Sequence, residues 1–112
     1  MIINGVKFEV DFTDADFIEK IENGSKKIFE EAEILKQTKE LSLAEGIRQE
    51  CKILKNFLDY VLGDGTSEQL FNGKDSLEQC LKAFEDIIEA KQNAMNNFEK
   101  KINKYSPDRL KR

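Results

Sequence analysis

The sequence contains no histidine and no tryptophan, a single proline and only two cysteines. Histidine is the commonest general base and a leading ligand for transition metals, so its absence removes the usual centre of both kinds of site. Two cysteines without a C-x-x-C pair do not complete a structural zinc site. We therefore expect no catalytic residues, no metal site and no cofactor, and we predict that the protein is not an enzyme.

The two cysteines, Cys51 and Cys80, both lie within helical apolar patterns. Such positions predict buried, reduced thiols, as in a cytosolic protein, and a disulfide between packed helices is the alternative. Residues 1–5 show neither the basic nor the apolar region of a signal peptide. No apolar run approaches the ~20 residues that span a bilayer. These features predict a cytoplasmic protein that has no membrane partner.

The charge distribution argues against nucleic acid as a partner. The formal net charge is −4, and charges of both signs are interspersed through most of the chain. Non-specific nucleic-acid binding needs a net basic surface that displaces phosphate counterions. Only the end of the chain is basic, and we interpret it as a solvated helix end followed by a frayed tail at residues 106–112. The basic residues of this end are Lys100, Lys101, Lys104, Arg109, Lys111 and Arg112.

The composition favours one mainly helical domain. A length of 112 residues fits a single domain with one modest core, here residues 1–112. The near absence of proline and the abundance of Lys, Glu, Leu and Ala favour long helices. The predicted fold class is mainly α: an N-terminal β-hairpin followed by a bundle of three principal helices plus one short helix.

The hairpin is predicted over residues 1–12. Asn4-Gly5 is a favoured type I′ turn because both residues tolerate positive φ. After the turn, apolar and charged residues alternate with the period of two that is typical of a strand with one buried face. The apolar positions are Val6, Phe8, Val10 and Phe12.

The first two helices are predicted over residues 14–40 and 42–62. Asn23-Gly24 interrupts the apolar pattern of the first helix and leaves open a kink or a division there. Ser42 begins a capping box with Glu45 at the start of the second helix. Ile53, Phe57 and Tyr60 broaden the apolar stripe of this helix, so we expect it to be the most enclosed one.

The second helix is followed by a glycine-rich connection. Gly63-Asp64-Gly65 stops the helix, and residues 66–71 are predicted to form one short helix. The connection superficially resembles a calcium or phosphate loop, but it lacks the ligand spacing of an EF-hand and the Gly-Lys-Ser/Thr of a P-loop. We therefore interpret it as a tight helix connection in which Thr66 or Ser67 caps the short helix.

The last helix, predicted over residues 76–105, carries the most regular pattern. Its apolar seam alternates steps of four and three over about four heptads. The seam consists of Leu77, Leu81, Phe84, Ile88, Lys91, Met95, Phe98, Ile102 and Tyr105. This helix would be about 43 Å long, whereas the second helix would reach only about 30 Å. Either the first helix covers Met95, Phe98 and Ile102, or another subunit does, because exposing such residues is costly.

Three stretches carry a recognisable order of residues. They are Ile3-Asn4-Gly5-Val6 running into Phe8-Glu9-Val10-Asp11-Phe12-Thr13-Asp14, then Leu43-Ala44-Glu45-Gly46-Ile47-Arg48 with Cys51, and Gly63-Asp64-Gly65-Thr66-Ser67-Glu68-Gln69-Leu70-Phe71 continuing through Leu77, Cys80, Leu81, Phe84 and Ile87. This order resembles a family of small uncharacterised proteins from phages and prophages of Firmicutes. That family in turn resembles the tail assembly chaperones of long-tailed phages. The similarity covers nearly the whole chain.

The resemblance implies a small, mainly helical, often oligomeric protein of the bacterial host cytosol. It implies a chaperone or related morphogenesis factor that binds the tail-tube or tape-measure protein during assembly. Our candidate contact residues are Met95, Phe98 and Ile102, together with the hairpin edge, although each alone also suits a core role. The alternatives are a structural tail component retained in the virion and a phage-encoded module that regulates a host protein.

Overall fold

Four helices and one short hairpin make up the computed structural model, which describes residues 1–38 and 40–105. This arrangement confirms the predicted fold class, and the predicted tail at residues 106–112 lies outside the described residues. In chain order the elements are β1 (Ile2–Ile3), β2 (Val6–Lys7), α1 (Ala15–Gln37), α2 (Leu43–Leu62), α3 (Thr66–Phe71) and α4 (Leu77–Tyr105).

The hairpin is short and is fastened to the helices at its turn. Asn4 and Gly5 have φ values of 48° and 80°, and the antiparallel register pairs Ile3 with Val6. Beyond the strands, the Phe8 amide donates to the Met1 carbonyl at 2.8 Å. The Asn4 side-chain amide donates to the Leu70 carbonyl at 2.6 Å, which ties the turn to α3.

The apolar alternation after the turn continues past the end of the regular strand. Its apolar side chains are partly buried, and the charged residues between them are exposed. The alternation therefore identified the buried face correctly, although the paired strand contains only two residues. The partly buried positions are Val6, Phe8, Val10 and Phe12.

α1 is continuous, and its central glycine is a packing residue. The helix begins after Asp14, whose carboxylate accepts from the Phe17 amide at 3.1 Å. It runs through Gly24 and ends at Gln37, three residues before the predicted end, because Thr38 and Glu40 leave the helical conformation. A Cβ atom at position 24 would lie 2.8 Å from Cδ1 of Phe57. Gly24 thus allows α1 to approach α2 closely.

α2 is the helix on which both α1 and α4 pack. It contributes more buried residues than any other element: Cys51, Leu54, Phe57, Leu58 and Val61. The rings of Phe57 and Phe84 meet edge to face with centroids 5.0 Å apart. Cys51 of α2 lies against Cys80 of α4, and the Phe57–Phe84 pair follows further along both helices, so residue numbers rise in the same direction along α2 and α4. The two helices therefore run in the same sense, and the segment that contains α3 returns the chain to the middle of α2.

Two glycine substitutions test the close packing of α1 on α2. Gly24→Ala should destabilise the fold by about 1–2 kcal/mol despite the better helix propensity of alanine, because the new methyl group overlaps the Phe57 ring. Gly46→Ala is the matched control, since a Cβ atom there meets nothing within 4 Å. It should stabilise the fold by about 0.5–1 kcal/mol. Urea unfolding followed by circular dichroism measures both, and equal stabilisation by both substitutions would contradict the packing role.

Candidate protein-interaction surface

The buried face of α4 lies beside the predicted heptad seam rather than on it. The buried residues are Cys80, Ala83 and Ile87, whereas Leu81 of the seam is 40% exposed. A straight helix repeats every 3.6 residues, so a seam written with a 3.5-residue repeat drifts around the helix surface. Cys80 and Ala83 are buried, and of the larger seam residues Phe84 packs on Phe57 of α2 whereas Leu81 lies at the edge of the core.

The end of α4 carries an apolar stripe that no other described element covers. Phe98, Ile102 and Tyr105 are 46%, 54% and 78% exposed, and Met95 is partly buried. We call these four residues the distal stripe. Phe98 and Ile102 are two of the predicted contact residues, and Tyr105 extends the stripe by one further turn. At the hairpin edge, the other predicted contact, Ile2 is also exposed.

The distal stripe is uncovered because α2 is too short to reach it. Phe84 of α4 lies beside Phe57 of α2, and α2 ends at Leu62, five residues after Phe57. The remainder of α4 therefore extends about 16 residues, or about 24 Å, beyond the end of α2. α1 packs mainly on α2 rather than on α4. Coverage of the stripe by the first helix, one of the two predicted alternatives, is thus wrong for Phe98 and Ile102.

A second apolar surface lies near the start of α4. α1 and α4 pack on the same helix but hardly touch each other, which leaves a groove of about 360 Å³ between them. α2 forms its floor, and α1, the α1–α2 connection and α4 form its walls. We call it the α1–α4 groove. Its apolar lining consists of Ile28, Ala32, Leu35, Leu41, Ile53, Leu54, Leu77 and Leu81.

Sequence reasoning missed the α1–α4 groove. Its residues come from three helices and a connection, so no local spacing brings them together. The one available signal was Leu81, which the heptad pattern assigned to the core and which the structure leaves 40% exposed. The distal stripe was predictable because all of its members follow one helical repeat.

The glycine-rich connection is a capped turn whose cap comes from α2. The Asp59 carboxylate accepts from the Ser67 amide at 2.7 Å and from the Ser67 hydroxyl at 2.9 Å. Capping by Thr66 or Ser67 was therefore wrong: Thr66 instead donates to the Gly63 carbonyl at 2.6 Å. Within residues 1–38 and 40–105, no three His, Cys, Asp or Glu side chains cluster closely enough to hold a metal ion.

The two cysteines are free thiols that contact each other in the core. Burial, together with the neighbouring Cys51, raises the pKa of Cys80 to about 12. Burial also raises the pKa of Cys51. The thiolate is the nucleophilic form of cysteine, so both side chains are weak nucleophiles at neutral pH. The predicted burial of both cysteines is confirmed.

The architecture is a small helical bundle in which, among the described residues, apolar side chains lie uncovered near both ends of the longest helix. Within the described residues, no helix is both long enough and apolar enough to cross a membrane. The chain belongs to the family of unknown function DUF6673, whose family model matches residues 4–112. No curated protein and no solved structure matches the chain. The resemblance to phage proteins stays a prediction.

Removal of the long-range cap should destabilise the connection. Asp59→Ala leaves the Ser67 amide and hydroxyl without their acceptor and should cost about 1–2 kcal/mol of unfolding free energy. Asp64→Ala, an exposed carboxylate in the same connection, is the matched control and should change stability by less than about 0.5 kcal/mol. Equal effects in chemical denaturation would show that Asp59 acts only through its charge.

The thiols should react slowly in the folded protein. At pH 8 the fraction of thiolate falls steeply when the pKa rises from 9.0 to about 12, as at Cys80. Alkylation of Cys80 by iodoacetamide should therefore be at least roughly a hundredfold slower in the folded chain than in urea. Mass spectrometry counts the modified cysteines over time, with the unfolded chain as the control. Equally fast modification in both states would contradict the buried pair.

Proposed function

We propose that this protein is a non-catalytic assembly chaperone of the kind used by phage tails. It holds an apolar surface of a tail-tube or tape-measure protein against the distal stripe of α4. The observation that carries the proposal is the exposure of Phe98 and Ile102 on a helix that continues past its own bundle.

The physical argument begins with the cost of exposed apolar surface. Each large apolar side chain gains about 1.5–3 kcal/mol when it is removed from water, so a contiguous stripe favours a covered state. Contiguous exposed apolar residues with a polar rim are typical of protein interaction sites. Glu99 and Lys101 lie on the two sides of the distal stripe and supply such a rim.

The geometry of the stripe suits temporary binding of a client. Its side chains lie at i, i+3, i+7 and i+10, which is the spacing of anchors in helix-in-groove recognition. The stripe is narrow, since one turn supplies only one or two anchors, so its contact with a client is smaller than a permanent interface. A chaperone needs such a contact because the client must leave when the tail assembles. The resemblance to tail assembly chaperones supplies the class of client.

A charge on the stripe should abolish client binding. The test co-expresses the chain with the tail-tube and the tape-measure protein of the same genome and measures the soluble, co-purifying client. Phe98→Glu should lower the recovery of soluble client at least tenfold, because the carboxylate would have to be buried in the contact. Asn93→Glu is the matched control: it adds the same charge to exposed surface on the other side of α4 and should leave recovery unchanged.

Two results would contradict the chaperone role. If neither tail protein co-purifies with the unaltered chain, the proposed client class is wrong. If mass spectrometry finds the chain as a stoichiometric component of finished particles, the protein is a structural tail component instead.

A further inference from the structure

We propose that copies of this chain associate head to tail, with the distal stripe of one copy docked in the α1–α4 groove of the next. This inference concerns contacts between copies rather than the client, although both proposals assign a partner to the distal stripe.

The α1–α4 groove has the form of a binding site for a helix. Two helices that pack on a third without touching each other leave the position that a fourth helix occupies in a bundle. The groove is lined mainly by apolar side chains, with Ile53 and Leu54 on its floor and Leu81 at its rim. Leu81 is 40% exposed, so a docked helix would cover surface that the isolated chain leaves in water.

The same chain carries a helix that fits this position. The distal stripe presents Met95, Phe98, Ile102 and Tyr105 along one face of α4, and nothing in the described residues covers its end. A chain that carries both halves of an apolar contact associates with its own copies as concentration rises, unless one half covers the other within the chain.

The contact cannot form within one chain. Leu81 at the groove and Ile102 in the stripe belong to the same uninterrupted helix, which spans Leu77–Tyr105. The two residues are 21 positions apart, or about 31 Å along the helix axis. The stripe therefore reaches only the groove of a neighbouring copy.

Charges at the two surfaces favour one direction of docking. The α1 wall of the groove carries Lys36, and Glu99 and Lys101 lie on opposite sides of the stripe. In one direction of the docked helix Glu99 lies on the side of Lys36, and in the reverse direction Lys101 lies on that side. Exposed ion pairs contribute little affinity, so these charges set the direction rather than the strength of the contact.

The size of the contact makes a single one weak and favours a closed ring, in which every copy makes two contacts. The four partly exposed side chains of the stripe present on the order of 400 Å² of surface, and a single docking contact would bury roughly twice that area. A stable interface buries about 1,600 Å². A contact between two different surfaces leaves a free stripe and a free groove at the ends, so copies add until a ring closes or a filament grows.

Two complementary variants test this geometry. Phe98→Glu disables the stripe and leaves the groove intact, whereas Leu81→Glu disables the groove and leaves the stripe intact. Asn93→Glu and Gln79→Glu are the matched controls, because they add the same charge to exposed positions of α4 outside both surfaces. Circular dichroism checks that helicity is retained. If Leu81→Glu unfolds, Ala32→Arg blocks the groove from the α1 wall instead.

Light scattering over a range of concentrations gives the mass of each sample. The unaltered chain and both controls should form species larger than a dimer, and each surface variant alone should remain monomeric. At about 1 mM, where a single weak contact is populated, a mixture of the two surface variants should form a one-to-one dimer, since one supplies the intact groove and the other the intact stripe.

Three results would overturn the proposal. The unaltered chain could remain monomeric up to about 1 mM, where even a weak contact is populated. The groove variant could associate as the unaltered chain does, which would indicate stripe-to-stripe pairing. The mixture could remain monomeric while the unaltered chain associates, which would place the contact elsewhere on the molecule.

Discussion

The packing of two longer helices on one shorter helix determines the rest of this structure. α2 has 20 residues, whereas α1 has 23 and α4 has 29, and both pack chiefly on α2. Gly24 permits the close approach of α1, and the small residues Cys80 and Ala83 permit that of α4. The core lies where α2 packs against its neighbours, and the end of α4 that extends past Leu62 lies outside it. The elongated form, 61 × 31 × 21 Å, follows from this difference in length.

The two uncovered surfaces are consequences of the same arrangement. The distal stripe is exposed because α4 extends beyond the end of α2. The α1–α4 groove is open because α1 and α4 both pack on α2 and hardly contact each other. A client and the groove of the next copy would both occupy the distal stripe, so a client would compete with the next copy. Self-association would then keep the stripe covered until a client is present.

Local patterns in the sequence predicted the features that depend on nearby residues. The Asn4-Gly5 turn, the Ser42 cap and the length of α4 follow from residues within a few positions of each other. Features that depend on distant residues were mistaken or missed. Gly24 suggested a kink because its partner, Phe57, lies 33 positions away along the sequence.

The sequence could predict the distal stripe but not its exposure. The stripe belongs to one helical repeat, whereas its exposure depends on where α2 ends relative to α4. The cap that Asp59 provides to Ser67 and the three-helix lining of the groove likewise arise only when the chain is folded. The heptad pattern also pointed to Leu81 instead of Cys80, because a 3.5-residue repeat drifts on a straight helix.

Hydrogen exchange along α4 at low and high protein concentration tests the central claim most directly. The claim is that no other described element of a single chain covers the end of α4 and that another chain does. In dilute protein, the amides of residues 95–105 should exchange much faster than those of residues 80–87, and concentration should slow only the first group. Equal protection along the whole helix in dilute protein, or no effect of concentration on residues 95–105, would contradict the account.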